Sequence, residues 1–160
     1  MKRVMSFSMC LLMICVLLLA CGKKQELEVS IEASVLPLTD EQYEEVGTSG
    51  LENPVKEDFR KVTVHVEANQ IPEPGIEAPS MEEWKHYINA YDRTDRMLYG
   101  NFTNTPASHT SEFVIYSKGL SEEDIKKAFS TLTIKIPADS ENGQSGVYYV
   151  SDYFVFDHTD

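Results

Sequence analysis

The chain is poor in cysteine, with three in 160 residues. Two of them, Cys10 and Cys15, lie inside an apolar run near the N-terminus, which leaves Cys21 as the one thiol beyond it. A single thiol builds neither a disulfide framework nor a cysteine metal site, so the fold must rest on packing. Cations are also scarce. Lysine and arginine number 14 against 26 aspartates and glutamates, for a net charge of −12. Such a surface repels phosphate backbones and anionic headgroups, which argues against a nucleic-acid partner. It suits calcium, a basic protein or a basic peptide, although solubility alone accounts for it. The longest apolar run, Met9 to Ala20, falls short of the ~20 residues a membrane-spanning helix needs. There is no Gly-x-Ser-x-Gly elbow, phosphate loop or dinucleotide fingerprint, and no repeat of solenoid length. No cofactor, metal site or catalytic residue is indicated, and nothing marks an enzyme.

The N-terminus is more informative. Lys2 and Arg3 precede the apolar run, and the first acid is Glu26. A short apolar core behind a basic start is the pattern of an export signal, with the cations retained on the cytoplasmic side. The run ends in Leu18-Leu19-Ala20-Cys21-Gly22. These residues resemble the lipobox of bacterial lipoproteins: a leucine three before the cysteine, a small residue just before it and a glycine after it. The resemblance covers residues 1–22 only. It implies a diacylglyceryl group on the Cys21 thiol, recognition of Leu18, Leu19, Ala20 and Gly22 by the signal peptidase, and cleavage before Cys21. A thiol is the nucleophile that can take the lipid, and two or more acyl chains suffice for stable anchoring. The expected organisation is a signal peptide over 1–20, a lipidated tether over 21–25 and one domain over 26–160. The tether spans roughly 15 Å at about 3.3 Å per residue. Loss of Lys2 and Arg3 makes the mature chain more acidic still.

Hydrophobic periodicity then gives a β-rich domain. Leu27, Val29, Ile31, Ala33 and Val35 alternate with polar residues, as do Val62, Val64 and Val66. Thr39 with Gln42 predicts a short helix over 40–46, and Ser121 with Asp124 predicts a second. Residues 69–80, with Pro72, Pro74, Gly75 and Pro79, read as an extended loop. Residues 80–91 satisfy two patterns. Ser80 and Glu83 form a capping box ahead of helical spacing at Met81, Trp84, Ile88 and Tyr91, yet Tyr87 to Tyr91 also reads as a strand. One helical turn followed by a hairpin to 96–100 is the favoured reading. Strands follow at 112–116, 132–136, 147–150 and 153–156, with a bulge at Ser151-Asp152. Many short strands in one domain suggest a mainly β fold, an antiparallel β-sandwich with one or two short helices. The strand pattern resembles immunoglobulin-like modules, without their cysteine–tryptophan–cysteine signature. An open sheet crossed by one helix is the alternative.

Candidate chemistry is thin. His65, His86, His109 and His158 are dispersed in sequence, and His65 falls on the polar face of its strand. Asp139 to Gly143 resembles a calcium loop faintly, without alternating acids or the distal glutamate. Tyr148, Tyr149 and Tyr153 crowd the C-terminal strands, and any that are exposed form a candidate surface for glycan or a partner. Two functions follow as expectations. The first is a non-catalytic interaction module of the cell envelope, held to the membrane through Cys21. The second is a lipoprotein that binds a small ligand, glycan or divalent cation.

Overall fold

The computed structural model describes residues 27–69, 71, 73–92, 95–137 and 145–157. Among these, the fold is mainly β, with seven strands and three α-helices. In chain order they are β1 (Val29–Pro37), α1 (Asp40–Glu45), β2 (Phe59–Ala68), α2 (Met81–Asp92), β3 (Met97–Thr105), β4 (Ser108–Tyr116), α3 (Glu122–Ala128), β5 (Thr133–Ile136), β6 (Gly146–Tyr149) and β7 (Phe154–Phe156). A five-stranded sheet has the order β3-β4-β2-β1-β7, and β5 pairs with β6 in a separate two-stranded sheet.

The large sheet is mixed, not antiparallel throughout as expected. β7 runs parallel to β1, with Ala33 opposite Phe154 and Val35 opposite Phe156. The physical reason lies in Val150–Tyr153, read from sequence as a bulge and found as a 3₁₀ turn with Val150 fully buried. This turn carries the chain out of the small sheet and lays its last strand along β1. There are also three α-helices where one or two were expected.

Register follows the alternation. Ala33, Val35, Val62, Val64, Val66, Phe113 and Ile115 share one face of the large sheet and are buried. Against that face pack Trp84 and Ile88 of α2, Ile125 and Phe129 at α3, and Ile134 and Ile136 of β5, all in one core. Its centre is aromatic. Trp84 lies 5.0 Å from both Phe113 and Phe129, centroid to centroid, in tilted and edge-on arrangements that aromatic rings favour. The opposite face carries a smaller cluster of Leu38, Val46, Phe59 and Val114, covered by Tyr43 of α1 and by Leu51.

Residues 81–92 form one continuous helix, which corrects the expected helical turn and hairpin. The Ser80 backbone N–H donates to Glu83 Oε2 at 2.8 Å, and the Glu83 N–H donates to Ser80 Oγ at 3.3 Å. This capping box starts the helix. Trp84 and Ile88, four residues apart and both 0% exposed, then fix its buried face. Asn89 Oδ1 accepts from the N–H groups of Arg96 and Met97, tying the helix end to the start of β3. The hairpin of this region is β3–β4, reversed at Pro106–Ala107.

Candidate functional site

The lipobox residues Leu18, Leu19, Ala20, Cys21 and Gly22 lie outside the described residues, as do His158 and the Asp139–Gly143 loop. Among the described residues no helix is long and apolar enough to cross a membrane.

The three candidate tyrosines do not share one surface. Tyr148 and Tyr153 meet edge to face with centroids 6.4 Å apart, and both pack partly against the core. Tyr149 points the other way on β6 and is half exposed, alongside Val147. Strand alternation imposes this split.

The fold sets two of the histidines on neighbouring strands but on opposite faces of the sheet. His65 on β2 stands opposite Thr110 on β4, and its Nδ1 is 2.9 Å from Thr110 Oγ1. Its Nε2 lies 3.2 Å from Glu67. His109 is the next residue on β4 but faces the core, opposite Val66, and is buried. Its Nε2 is 2.6 Å from Ser111 Oγ, while Nδ1 has no hydrogen-bond partner among the described residues. Burial, reinforced by the nearby His65, pushes the His109 imidazole below its ordinary pKa. This is a buried neutral histidine, not a ligand set. Among the described residues no group of histidine, cysteine, aspartate and glutamate could hold a metal ion. Residues 122–124 are explained by α3: Ser121 caps it, and Asp124 accepts from the hydroxyls of both Ser121 and Tyr91.

Two depressions gather polar groups that the sequence does not bring together. One, of about 410 Å³, lies between the first turns of α2 and β5 and includes Glu77, Glu83, Tyr87, Thr131, Thr133 and Lys135. Its frame is a backbone bridge between Glu77 and Lys135, with N–H to O distances of 2.9 and 2.8 Å. The second, of about 150 Å³, lies on the outer face of the large sheet beneath α1. Glu45, Tyr99, Asn101, Glu112 and Val114 line it, and the Lys61 ammonium sits 2.5 Å from Glu112 Oε1. These residues come from α1, β2, β3 and β4. Only strand register assembles them, because Asn101 lies opposite Glu112 and Tyr99 opposite Val114. The chain matches no protein-family model, no curated protein and no solved structure.

Proposed function

We propose that this chain is an exported lipoprotein, held on the extracytoplasmic side of a cell membrane by lipid on Cys21, whose β-rich domain is a non-catalytic interaction module of the envelope. The observation that carries this reading is the sequence Leu18-Leu19-Ala20-Cys21-Gly22 behind a basic, apolar leader. The position of β1 supports it, since ordered strand begins at Val29, directly after the short tether. We read the architecture as sandwich-like, with the immunoglobulin-like resemblance confined to strand pattern. The core shared by Val62, Val64 and Val66 of the large sheet with Ile134 and Ile136 of the small one supports a layered arrangement.

The experiment is a Cys21→Ala substitution in the full chain. The expected result is loss of the lipid mass increment, retention of the leader and loss of processing. A variant that is cleaved and sediments with membranes like the parent would sink the lipoprotein reading. Cross-linking in intact cells tests the module: recovery of a defined envelope protein is expected, and its absence counts against an interaction role.

A second reading, a small-ligand lipoprotein, is favoured by the polar groove between α2 and β5. A hydroxyl-rich ligand such as a glycan would find both donors and acceptors in Thr131, Thr133, Tyr87, Lys135 and Glu77. A thermal-shift series with cell-wall sugars decides it, and an unmoved midpoint excludes this groove.

A further inference from the structure

The two outer strands of the large sheet differ sharply. β7 is three residues long, and a very short edge strand offers little to pair with. β3 is nine residues long, Met-Leu-Tyr-Gly-Asn-Phe-Thr-Asn-Thr, with β4 on one side and, among the described residues, no strand on the other. It contains no charged residue and no proline. Charges and prolines are the devices by which proteins normally keep edge strands from recruiting another chain. A register irregularity between Met97 and Tyr99 protects only the first residues, so 99–105 present an undefended ladder. Gly100 keeps this strand flat on the core: a Cβ there would sit 2.7 Å from the Phe102 ring and 2.8 Å from Phe113.

The chemistry beside this edge is selective. Tyr99, Asn101 and Thr103 alternate on the outer face of β3, and Tyr99 is 46% exposed. Directly inward of Tyr99 and Asn101 is the pocket that contains Glu45 and Glu112 together with Lys61, whose ammonium pairs with Glu112 at 2.5 Å and leaves the exposed Glu45 as the excess negative charge. A strand added to β3 would run about 10 Å from β4, two strand spacings. A lysine or arginine from such a strand, leaning inward, meets Glu45, with Glu112 beside it shared with Lys61. Its methylene stem would lie on the Tyr99 ring and Val114. A second copy of this chain is a poor occupant, because each copy carries a net charge of −12 and brings the same carboxylates to the edge.

We infer that the free edge of β3 is a strand-addition site for an extended segment of a partner protein, one that bears a lysine or arginine whose cationic end enters the pocket beneath α1. The inference rests on the interaction-module reading and names the chemistry of the partner. Main-chain hydrogen bonds to residues 99–105 supply the pairing, and the carboxylates select the side chain.

The test uses the full chain in uncharged detergent micelles and a capped heptapeptide, Thr-Val-Arg-Val-Arg-Val-Thr. Two analogues accompany it: one with both arginines replaced by neutral citrulline, and one N-methylated at alternate backbone nitrogens. Calorimetry is expected to show binding of the parent peptide, with amide NMR shifts concentrated in residues 99–105. The N-methylated peptide is expected to bind at least tenfold more weakly and the citrulline peptide at least threefold. Glu45→Gln, at an exposed helix position, is expected to shrink the arginine–citrulline difference without affecting folding. Equal binding of the N-methylated peptide overturns strand addition. Equal binding of the citrulline peptide overturns recognition of a cation. No binding of the parent overturns the site, and a dimer protected at 99–105 assigns the edge to a second copy instead. Each of these failures leaves the envelope-module reading intact, since that depends on Cys21 processing and cross-linking in cells.

Discussion

His109 shows how one residue sets a pH dependence for the whole domain. It lies on the core face of β4, with Nε2 held by Ser111 and Nδ1 unpartnered among the described residues. Burial favours its neutral form, so its pKa is lower in the native state than in the unfolded chain. Above the unfolded histidine value of about 6.5 neither state binds the proton, and the site is indifferent to pH. As pH falls through that value the unfolded chain takes up a proton that the native protein refuses, so stability falls. One proton limits the slope to about 1.4 kcal/mol per pH unit. Urea midpoints should therefore decrease between pH 7.5 and 5.5, and His109→Phe should flatten the decrease. An unchanged slope in that variant would place the effect elsewhere. Asp124 acts at lower pH. The Ser121 hydroxyl, the Tyr91 hydroxyl and the Ser121 N–H together lower its pKa to about 2. Its contribution is complete above the unfolded aspartate value and is lost as pH falls from there towards 2. Asp124→Asn should remove that loss from an acid titration followed by far-UV circular dichroism.

Among the elements, α2 is where sequence and structure part most instructively. Tyr87-Ile88-Asn89-Ala90-Tyr91 fits both periods, because a four-residue spacing and a two-residue spacing each place Tyr87 and Tyr91 on one side. The Ser80–Glu83 box and the complete burial of Trp84 and Ile88 decide for the helix. Ser80→Ala should cost about 1 kcal/mol, as should Ser121→Ala at α3. Trp84→Ala should cost about 3–5 kcal/mol, because it empties the aromatic centre. Denaturant unfolding orders the three, and a Trp84 variant no worse than the cap variants would show that the ring is not packed as described. β1 and β2 were legible because each buries one face and exposes the other. α1 and α3 were legible because their caps are local in sequence. β3 is legible only at its start, as the hairpin strand at 96–100, since Gly100, Asn101 and Asn104 are weak strand formers and hide its continuation to Thr105. Its place is fixed by pairing with β4 and by the stacking of Phe102 on Phe113. The pocket beneath α1 was illegible for the same reason: Glu45, Lys61, Tyr99 and Glu112 meet only once the register of three strands is known. The strand pattern in sequence starts only at Glu112, so it assigns His109, which β4 includes, to no face.

For the whole molecule the governing quantity is charge. A net charge of −12 on a chain of 160 residues, with the acids all at Glu26 and beyond, makes the compact state repel itself. Several ion pairs oppose this, among them Lys56–Asp40, Lys61–Glu112 and Lys118–Asp58, but each includes at least one partly exposed partner. Exposed pairs of this kind are worth about 0–1 kcal/mol and weaken in salt. The two effects respond to salt with opposite sign. Screening at 0.1 M reaches about 10 Å, so it removes long-range repulsion before it removes contacts at 2.5–4 Å. The repulsive term should therefore win. The thermal midpoint should rise by about 2–5 °C between 0.02 and 0.3 M sodium chloride, the shift expected for roughly 1 kcal/mol in a domain of this size. Calcium chloride at matched ionic strength provides the control. If the acidic surface acts only as a diffuse field, calcium should raise the midpoint to nearly the same value as sodium. A saturable rise at micromolar to millimolar calcium would instead reveal a discrete cation site and move the balance towards the small-ligand reading. A midpoint that falls with sodium chloride would show that the ion pairs outweigh the repulsion. The basic segment proposed for β3 would then have to be recognised by Glu45 and Glu112 locally, with little long-range attraction, and its binding should weaken only slightly with salt.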